Sequence, residues 1–417
     1  MKFLNISKIN FNGENRRALI IILAFFYSTV FYYIQYVLSK NNILSYLIPI
    51  IFILVIGICF FYCAQRGHLR FLKLRDILFL FAVLLAIIFS IMTDVDNKNI
   101  IIDRYLRIFF IESVPYFLIA FVFMTGDKHQ KLIEAFTIFS IFLGVLYVLY
   151  MKFIGNPEAL SEDNMGLSYN YLPIVILSFI FLLIKKRGRL INAISFFVGL
   201  ILLVSFGTRG PIVIILSFCF LSFIHFFVNS NIKGKMVWFL VLIVLLIFLA
   251  FEFKNIITLL SMFLEKIGMS TRVLDKITQN SIFVDSDRSN ITNVVIELIE
   301  KKPLTGYGIG GEWKYLNWNA HNMYLSIFQN LGIVIGLLVV IVPLFLSIKA
   351  FCIEKNCFIK YMILGWIAIV FVQGFFGGDY LSKDMFFLIG LSVASLRINK
   401  NLNCLVKNNE LLHIVRL

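Results

Sequence analysis

The feature that most restricts this chain is its division into apolar blocks, each about 18–25 residues long, separated by short charged stretches. A helix rises about 1.5 Å per residue, so one such block crosses a hydrocarbon layer roughly 30 Å thick. Inside lipid every backbone N–H and C=O must be satisfied within the protein, which leaves helices or a closed barrel. The blocks lack the period-2 alternation of barrel strands. Of the 417 residues, 60% are hydrophobic, against ~45–50% in a soluble domain. The expected fold is therefore all-α, a polytopic transmembrane helical protein.

The pattern predicts about twelve spans, near 18–38, 43–63, 77–92, 108–125, 132–154, 171–184, 190–206, 211–228, 236–253, 322–348, 361–377 and 384–396. Residues 1–417 read as a single integral membrane domain. Lys and Arg set the orientation. With the N-terminus in the cytoplasm, the majority of the 38 Lys and Arg residues fall in cytoplasmic segments such as "QRGHLRFLKLRD" and "KKRGR". Both termini are then cytoplasmic. The opposite face carries two acidic loops, "TDVDNKNIIDRYLR" (93–106) and "GNPEALSEDNMGLSYN" (155–170), and one large external loop over 254–321. In that loop "LLSMFLEKIGMS" and "ITNVVIELIEKK" have apolar residues at helical spacing, as short amphipathic helices do.

The net charge of +15 suggests nucleic acid at first sight, but the basic residues sit in short clusters between spans. No basic helix with interleaved aromatics occurs, so nucleic acid is not a partner. The six cysteines lie in spans or near cytoplasmic ends and form neither a disulfide framework nor a zinc pattern. The first apolar block is too long for a cleavable signal. No metal and no cofactor is expected.

Polar residues that can carry chemistry gather on the external face. In "SFGTRGPIVI", Arg209 stands between two apolar blocks amid Gly207, Gly210 and Pro211. A guanidinium beside such a break can fork onto a phosphate, or simply reach to lipid headgroups. Arg288 follows Asp285, Ser286 and Asp287 at a helix start, where Asp287 is an alternative partner for it. "GYGIGG" has no preceding strand, so it makes a tight loop and not a nucleotide site. In "GEWKYLNWNAHNMYLSIFQNLG", His321 and Asn322 open the tenth span. Histidine can orient or deprotonate a hydroxyl. Trp313, Tyr315, Trp318 and Tyr324 form an interfacial aromatic belt or a surface for sugar rings. Glu112 lies near the outer end of the fourth block, and Glu252 and Asp384 stand at outer span ends.

In "TRGPIVIILS", "DRSNITNVVIELIEKKPLTGYGIG" and "AHNMYLSIFQNLGIVIGLL" the chain resembles the O-antigen polymerase and O-antigen ligase family of bacterial inner-membrane glycosyltransferases. In that family an external arginine begins the helix before P-x-x-G-x-G. His-Asn then opens a span ahead of (E/N)-x-G-(I/L)-x-G. The corresponding positions are Arg288, Pro303, Gly306, Gly308, His321, Asn322, Asn330, Gly332 and Gly336, within residues 206–338. Val294 and Val295 stand where the family often has an aromatic, and "TRGP" replaces the commoner "SRG-A". The arginine–ten residues–glycine pattern of some polymerases maps onto neither arginine.

The resemblance implies an inner-membrane enzyme whose donor is an oligosaccharide on undecaprenyl diphosphate. The acceptor is a sugar hydroxyl, on another lipid-linked repeat in a polymerase or on lipid A–core in a ligase. The expected site has Arg209 and Arg288 on the diphosphate and His321 on the acceptor hydroxyl, with Glu312 as second base. Asn322, Trp313, Trp318 and Tyr324 would line the sugar. Two arginines can replace a divalent metal against a diphosphate leaving group, and a single displacement implies inversion. Membrane lipids surround the chain, and a chain-length regulator is a candidate partner. The polymerase is the leading expectation, because a Lys-, Asn-, Ile- and Phe-rich chain suggests an AT-rich gene, as in surface-polysaccharide clusters of the O-antigen or capsule kind. The ligase is the runner-up. A lipid-linked oligosaccharide flippase is the reading from another class, but the spans are nearly free of the cavity-lining charges a transporter carries.

Overall fold

The computed structural model describes Phe26 and residues 72–414, except 95–96, 124–128, 154–164, 186–187, 207, 233, 237–254, 256, 267–270, 272–273, 276–277, 279–285 and 317–319. Every regular element among them is helical. The spans expected at 18–38, 43–63 and 236–253 lie outside the described residues, apart from Phe26 and Met236.

The helices follow the apolar blocks. They are α1 (Leu74–Thr93), α2 (98–123), α3 (His129–Phe153), α4 (Met165–Ile184), α5 (Arg189–Ser205), α6 (Arg209–Asn229), α7 (Ser286–Lys301), α8 (Gly311–Leu316), α9 (Met323–Ile353), α10 (Cys357–Ile367, continued by a π-helical turn Ala368–Val372) and α11 (Lys383–Ile414). Five of them, α1, α3, α4, α6 and α9, are long and apolar enough to cross a membrane by length and composition. The rest of the membrane architecture stays an expectation from the sequence.

Three differences from the sequence reading bear on the site. Residues 98–106, expected in a loop, are helical, because Ile101 and Tyr105 are buried there against the rest of the molecule. That helix is wound as π-helix over Ile101–Leu106 and again over Phe109–Ser113, a local widening that often re-aims side chains at functional sites. The span expected near 322–348 is broken at Gly332, whose φ of 75° and ψ of 167° are not helical.

The chain forms two compact units. One comprises 1–27, 39–133 and 286–417, and so holds α1, α2 and α7–α11. Within it α11 packs on the 114–123 part of α2 and on α9, while α7 and α8 lie against α9. The α11–α2 approach is close because Gly390 has no side chain: a Cβ there would stand 2.4 Å from the Phe117 carbonyl oxygen. The Phe79 ring lies tilted against those of Phe117 and Phe386, with centroids 6.3 and 6.0 Å away. The other unit comprises 28–38 and 134–285, with most of α3 and all of α4, α5 and α6. Its centre is the α4–α5 contact, where Gly199 lets Val175 approach. Residues 257–266 are also helical there, with Leu264 buried, in the stretch where the sequence predicted an amphipathic helix.

Candidate functional site

The glycine motif and the break in α9 are two halves of one lock. At Gly332 the helical hydrogen bonds are interrupted, so carbonyls just before the break are free to accept from elsewhere. Loop 303–310 supplies the donors. The Tyr307 N–H donates to the Gln329 carbonyl (2.9 Å) and the Gly308 N–H to the Asn330 carbonyl (2.8 Å), and in return the Ile333 N–H donates to the Pro303 carbonyl (2.7 Å). The fit is backbone to backbone. A Cβ on Gly306 would lie 2.5 Å from the Asn330 oxygen, and one on Gly332 would lie 2.2 Å from the Leu304 oxygen. Both residues also have positive φ, 64° and 75°, a region that side chains disfavour. The loop tip docks on α1, where the Ser90 hydroxyl accepts from the Ile309 N–H at 2.9 Å.

This lock turns Gly311 and α8 inward and buries Glu312, which is 1% exposed. Its carboxylate accepts from the Tyr105 hydroxyl (2.7 Å) on α2 and from the Ser326 hydroxyl (2.5 Å) on α9. A buried carboxylate without such donors costs several kcal/mol, about what a broken buried pair costs. One turn along α9, the Asn330 side-chain amide donates to the Tyr380 hydroxyl at 3.2 Å. Tyr380 in turn lies 6.4 Å, centroid to centroid, from the Tyr105 ring. Next to Tyr380, partly buried Asp379 accepts from the Leu381 N–H at 3.0 Å. Burial pushes the Asp379 carboxyl up to about 6, with Glu312 and Glu112 adding to the shift and the Leu381 N–H and Arg104 opposing it. Arg104 lies over the Trp313 ring, 4.7 Å from its centroid. The result is a cluster of two acids, two phenols, an amide and a guanidinium beside the α9 break.

An apolar groove of about 430 Å³ opens from the same place. Phe79 and Ala86 of α1, Leu338 of α9 and Phe386 of α11 line it, together with Ile309 of the docked loop and Tyr380 of the cluster.

The residues singled out in the sequence are distributed as follows. Glu312 and Trp313 join the cluster. His321 is half-buried and has a φ of 51°, left-handed backbone that costs a non-glycine residue of order 1 kcal/mol and concentrates at functional positions. Asn322 caps α9: its side-chain oxygen accepts from the Tyr324 N–H (3.0 Å) and the Leu325 N–H (3.2 Å). The Tyr324 hydroxyl donates to the Phe371 carbonyl at 2.5 Å, and the Met323 N–H to the Gly374 carbonyl at 2.8 Å. These bonds fix the entry of α9 against the end of α10. Arg288 lies in the first turn of α7, which packs on α9 in the same unit. Arg209 is the first residue of α6 in the other unit, after Thr208, whose hydroxyl bonds Ser168. Trp318 lies outside the described residues. Asp384 accepts from the Trp366 indole N–H at 3.2 Å. Among the described residues no group of three His, Cys, Asp or Glu is placed to hold a metal ion.

Arg104, Tyr105, Asp379 and Tyr380 were not legible as site residues. They come from "DRYLR" and "GGDYLS", short polar stretches flanking apolar blocks. Their signal is weak by itself: a charged residue and a tyrosine side by side at a block's edge.

Residues 194–341 match the family model described as O-antigen ligase. The match covers about a third of the chain and contains all the residues expected on the diphosphate, the acceptor hydroxyl and the sugar, from Arg209 to Tyr324. It ends short of Asp379 and Tyr380 and begins after Arg104 and Tyr105. No curated protein and no solved structure matches the chain. Over these residues the chain is thus similar to O-antigen ligases, and its apolar helices suit a membrane protein.

Proposed function

We propose that the chain is a surface-polysaccharide repeat-unit polymerase at the outer face of the inner membrane. The donor is a glycan on undecaprenyl diphosphate and the acceptor is a sugar hydroxyl of another lipid-linked repeat. The observation that carries the enzyme class is the family match over 194–341, within which the arginines and His321 stand in their expected order; the choice of polymerase over ligase rests on the Lys-, Asn-, Ile- and Phe-rich composition. The locked loop supports it, since it docks on α9 and leads into Glu312 and Trp313 within a unit that also contains Arg288.

In the proposed step His321 takes the proton of the acceptor hydroxyl as its oxygen bonds the donor's anomeric carbon. The bond from that carbon to the diphosphate oxygen breaks, and the electron pair leaves with undecaprenyl diphosphate. Negative charge grows on the leaving group, and preorganised cations there lower the barrier by several kcal/mol. Arg288 and Arg209 take that role, so the scheme needs no divalent metal. The displacement inverts the anomeric centre. Glu312 is enclosed and doubly hydrogen-bonded, so it orients the α8–α9 surface while half-buried His321 meets the acceptor. Trp313, Asn322 and Tyr324 belong to the sugar side.

The family description favours a second reading, a ligase that delivers finished polymer to lipid A–core. A glycan ladder from a deletion strain separates them. Single repeats capping lipid A–core are the expected result for the polymerase. Polymer accumulating on undecaprenyl diphosphate identifies the ligase, and repeats retained in the cytoplasm identify a flippase. Arg288→Ala and His321→Ala, at normal abundance, are each expected to lower polymer formation at least a hundredfold. Full-length polymer in either variant would overturn the site.

A further inference from the structure

Arg104 lies on the first π-helical segment of α2, outside the family-matched residues. The face of Trp313 steadies its guanidinium, a contact that holds a cation without neutralising it. The Arg104 Nε is buried and has no hydrogen-bond partner, and the indole N–H of Trp313 is in the same condition. Two adjacent N–H donors thus lack acceptors, a condition that the nearby Gln329 side-chain amide and Asn330 side-chain oxygen share. Arginine presents five donors in a rigid fork that matches oxyanions. Asp379 feels the Arg104 charge, and its neighbour Tyr380 forms the polar end of the apolar groove. Past the break the groove runs along α9 from Ile335 to Pro343, a rise of about 12 Å. A ligand suited to both features has an oxyanion head and one long apolar chain.

We propose that Arg104, steadied by Trp313, is a third oxyanion-binding arginine, and that its ligand is the diphosphate of a single-chain polyprenyl lipid whose chain occupies the groove between α1, α9 and α11. This deepens the proposed function and rests on it. Arg288, in the same unit, is then joined by an arginine from the first half of the chain. The oxyanion chemistry would also suit the carboxylate of an acidic sugar, but a free sugar makes no use of the groove. With Arg104 on one face, Trp313 keeps only its other face for a sugar ring.

The test is ligand binding to the full-length protein in zwitterionic phosphatidylcholine nanodiscs, with undecaprenyl diphosphate, undecaprenol and glucuronate as separate probes. Arg104→Ala is expected to weaken undecaprenyl diphosphate binding at least tenfold, a loss of about 1.4 kcal/mol, and to leave undecaprenol binding unchanged. Arg104→Lys is expected to recover part of the loss, and Trp313→Phe to lose less than Trp313→Ala. Ala86→Phe, which narrows the groove, is expected to weaken both polyprenyl probes. An Arg104→Ala protein with wild-type melting temperature and undiminished diphosphate binding would overturn the proposal. So would a loss confined to glucuronate, which would assign the arginine to a sugar acid. Failure of the polymerase reading is seen elsewhere, in an unchanged glycan ladder, and leaves these binding results standing.

Discussion

Asp379 shows how one residue records its surroundings. Its carboxyl is raised from 3.8 to about 6, chiefly by burial and then by Glu312. The folded state therefore binds this proton more tightly than the unfolded chain does. The stability it contributes is present at pH below about 4 and is lost as pH rises through about 6. Asp379→Asn is expected to be more stable than wild type at pH 7–8, by about 1–2 kcal/mol, and equal to it near pH 4. Thermal melts across that range check this. A less stable Asn variant at pH 8 would mean that a cation holds the carboxylate charged in the native state. The residue was not legible as a site member because Asp379 and Glu312 are 67 positions apart and share no motif. Their coupling exists only once the α9 lock has formed. His321 and Glu312 were legible, because each sits inside a patterned stretch. What each touches was not: Glu312 bonds Tyr105, 207 positions away.

At the scale of elements, the motif glycines acquire a structural meaning distinct from chemistry. Gly306 and Gly332 let a loop dock onto the exposed backbone of an interrupted helix. Gly332→Ala and Gly306→Ala are each expected to cost roughly 3 kcal/mol or more, since each adds left-handed strain to a backbone clash. Gly188 is the control. Its φ is 80°, yet a Cβ there would meet nothing within 4 Å, so Gly188→Ala should cost only about 1 kcal/mol. Equal losses in the three variants, measured as folded yield and melting temperature, would refute the lock. The spacing P-x-x-G-x-G was visible in the sequence. Its mate at Gly332 was visible too, but nothing in the pattern said that the two motifs bond each other. A helical period runs straight through Gly332, and only the break explains why glycine stands there.

At the scale of the unit containing α1 and α11, a buried ion pair spans the sequence. Asp76 at the start of α1 and Arg397 on α11 form a two-pronged pair, 321 positions apart, with both side chains nearly inaccessible. Asp76 also accepts from the Lys73 N–H at 2.8 Å. Removing one partner strands a buried charge, so Arg397→Ala or Asp76→Asn should each cost about 3–5 kcal/mol. An apolar pair, Asp76→Leu with Arg397→Met, should recover most of the loss, because it removes the stranded charge. A double variant no better than the singles would show that the pair is net stabilising by itself. In the sequence Arg397 reads as a cytoplasmic topology charge, and Asp76 only closes the cytoplasmic stretch "QRGHLRFLKLRD". That reading takes account of which side of the membrane they favour but not of each other.

The sequence by itself determined the material of this protein: apolar helices, their approximate ends, and the one stretch where glycine, tryptophan, histidine and asparagine collect. It could do so because the cost of unsatisfied backbone in lipid is local, set by each segment's own length and composition. Only the tertiary structure decided which residues meet. Arg104 reached Trp313, Tyr105 reached Glu312, and Asp379 came beside both through contacts between segments more than sixty positions apart. Those contacts depend on close backbone approach at Gly306, Gly332 and Gly390, and no local pattern encodes which backbone a glycine will meet.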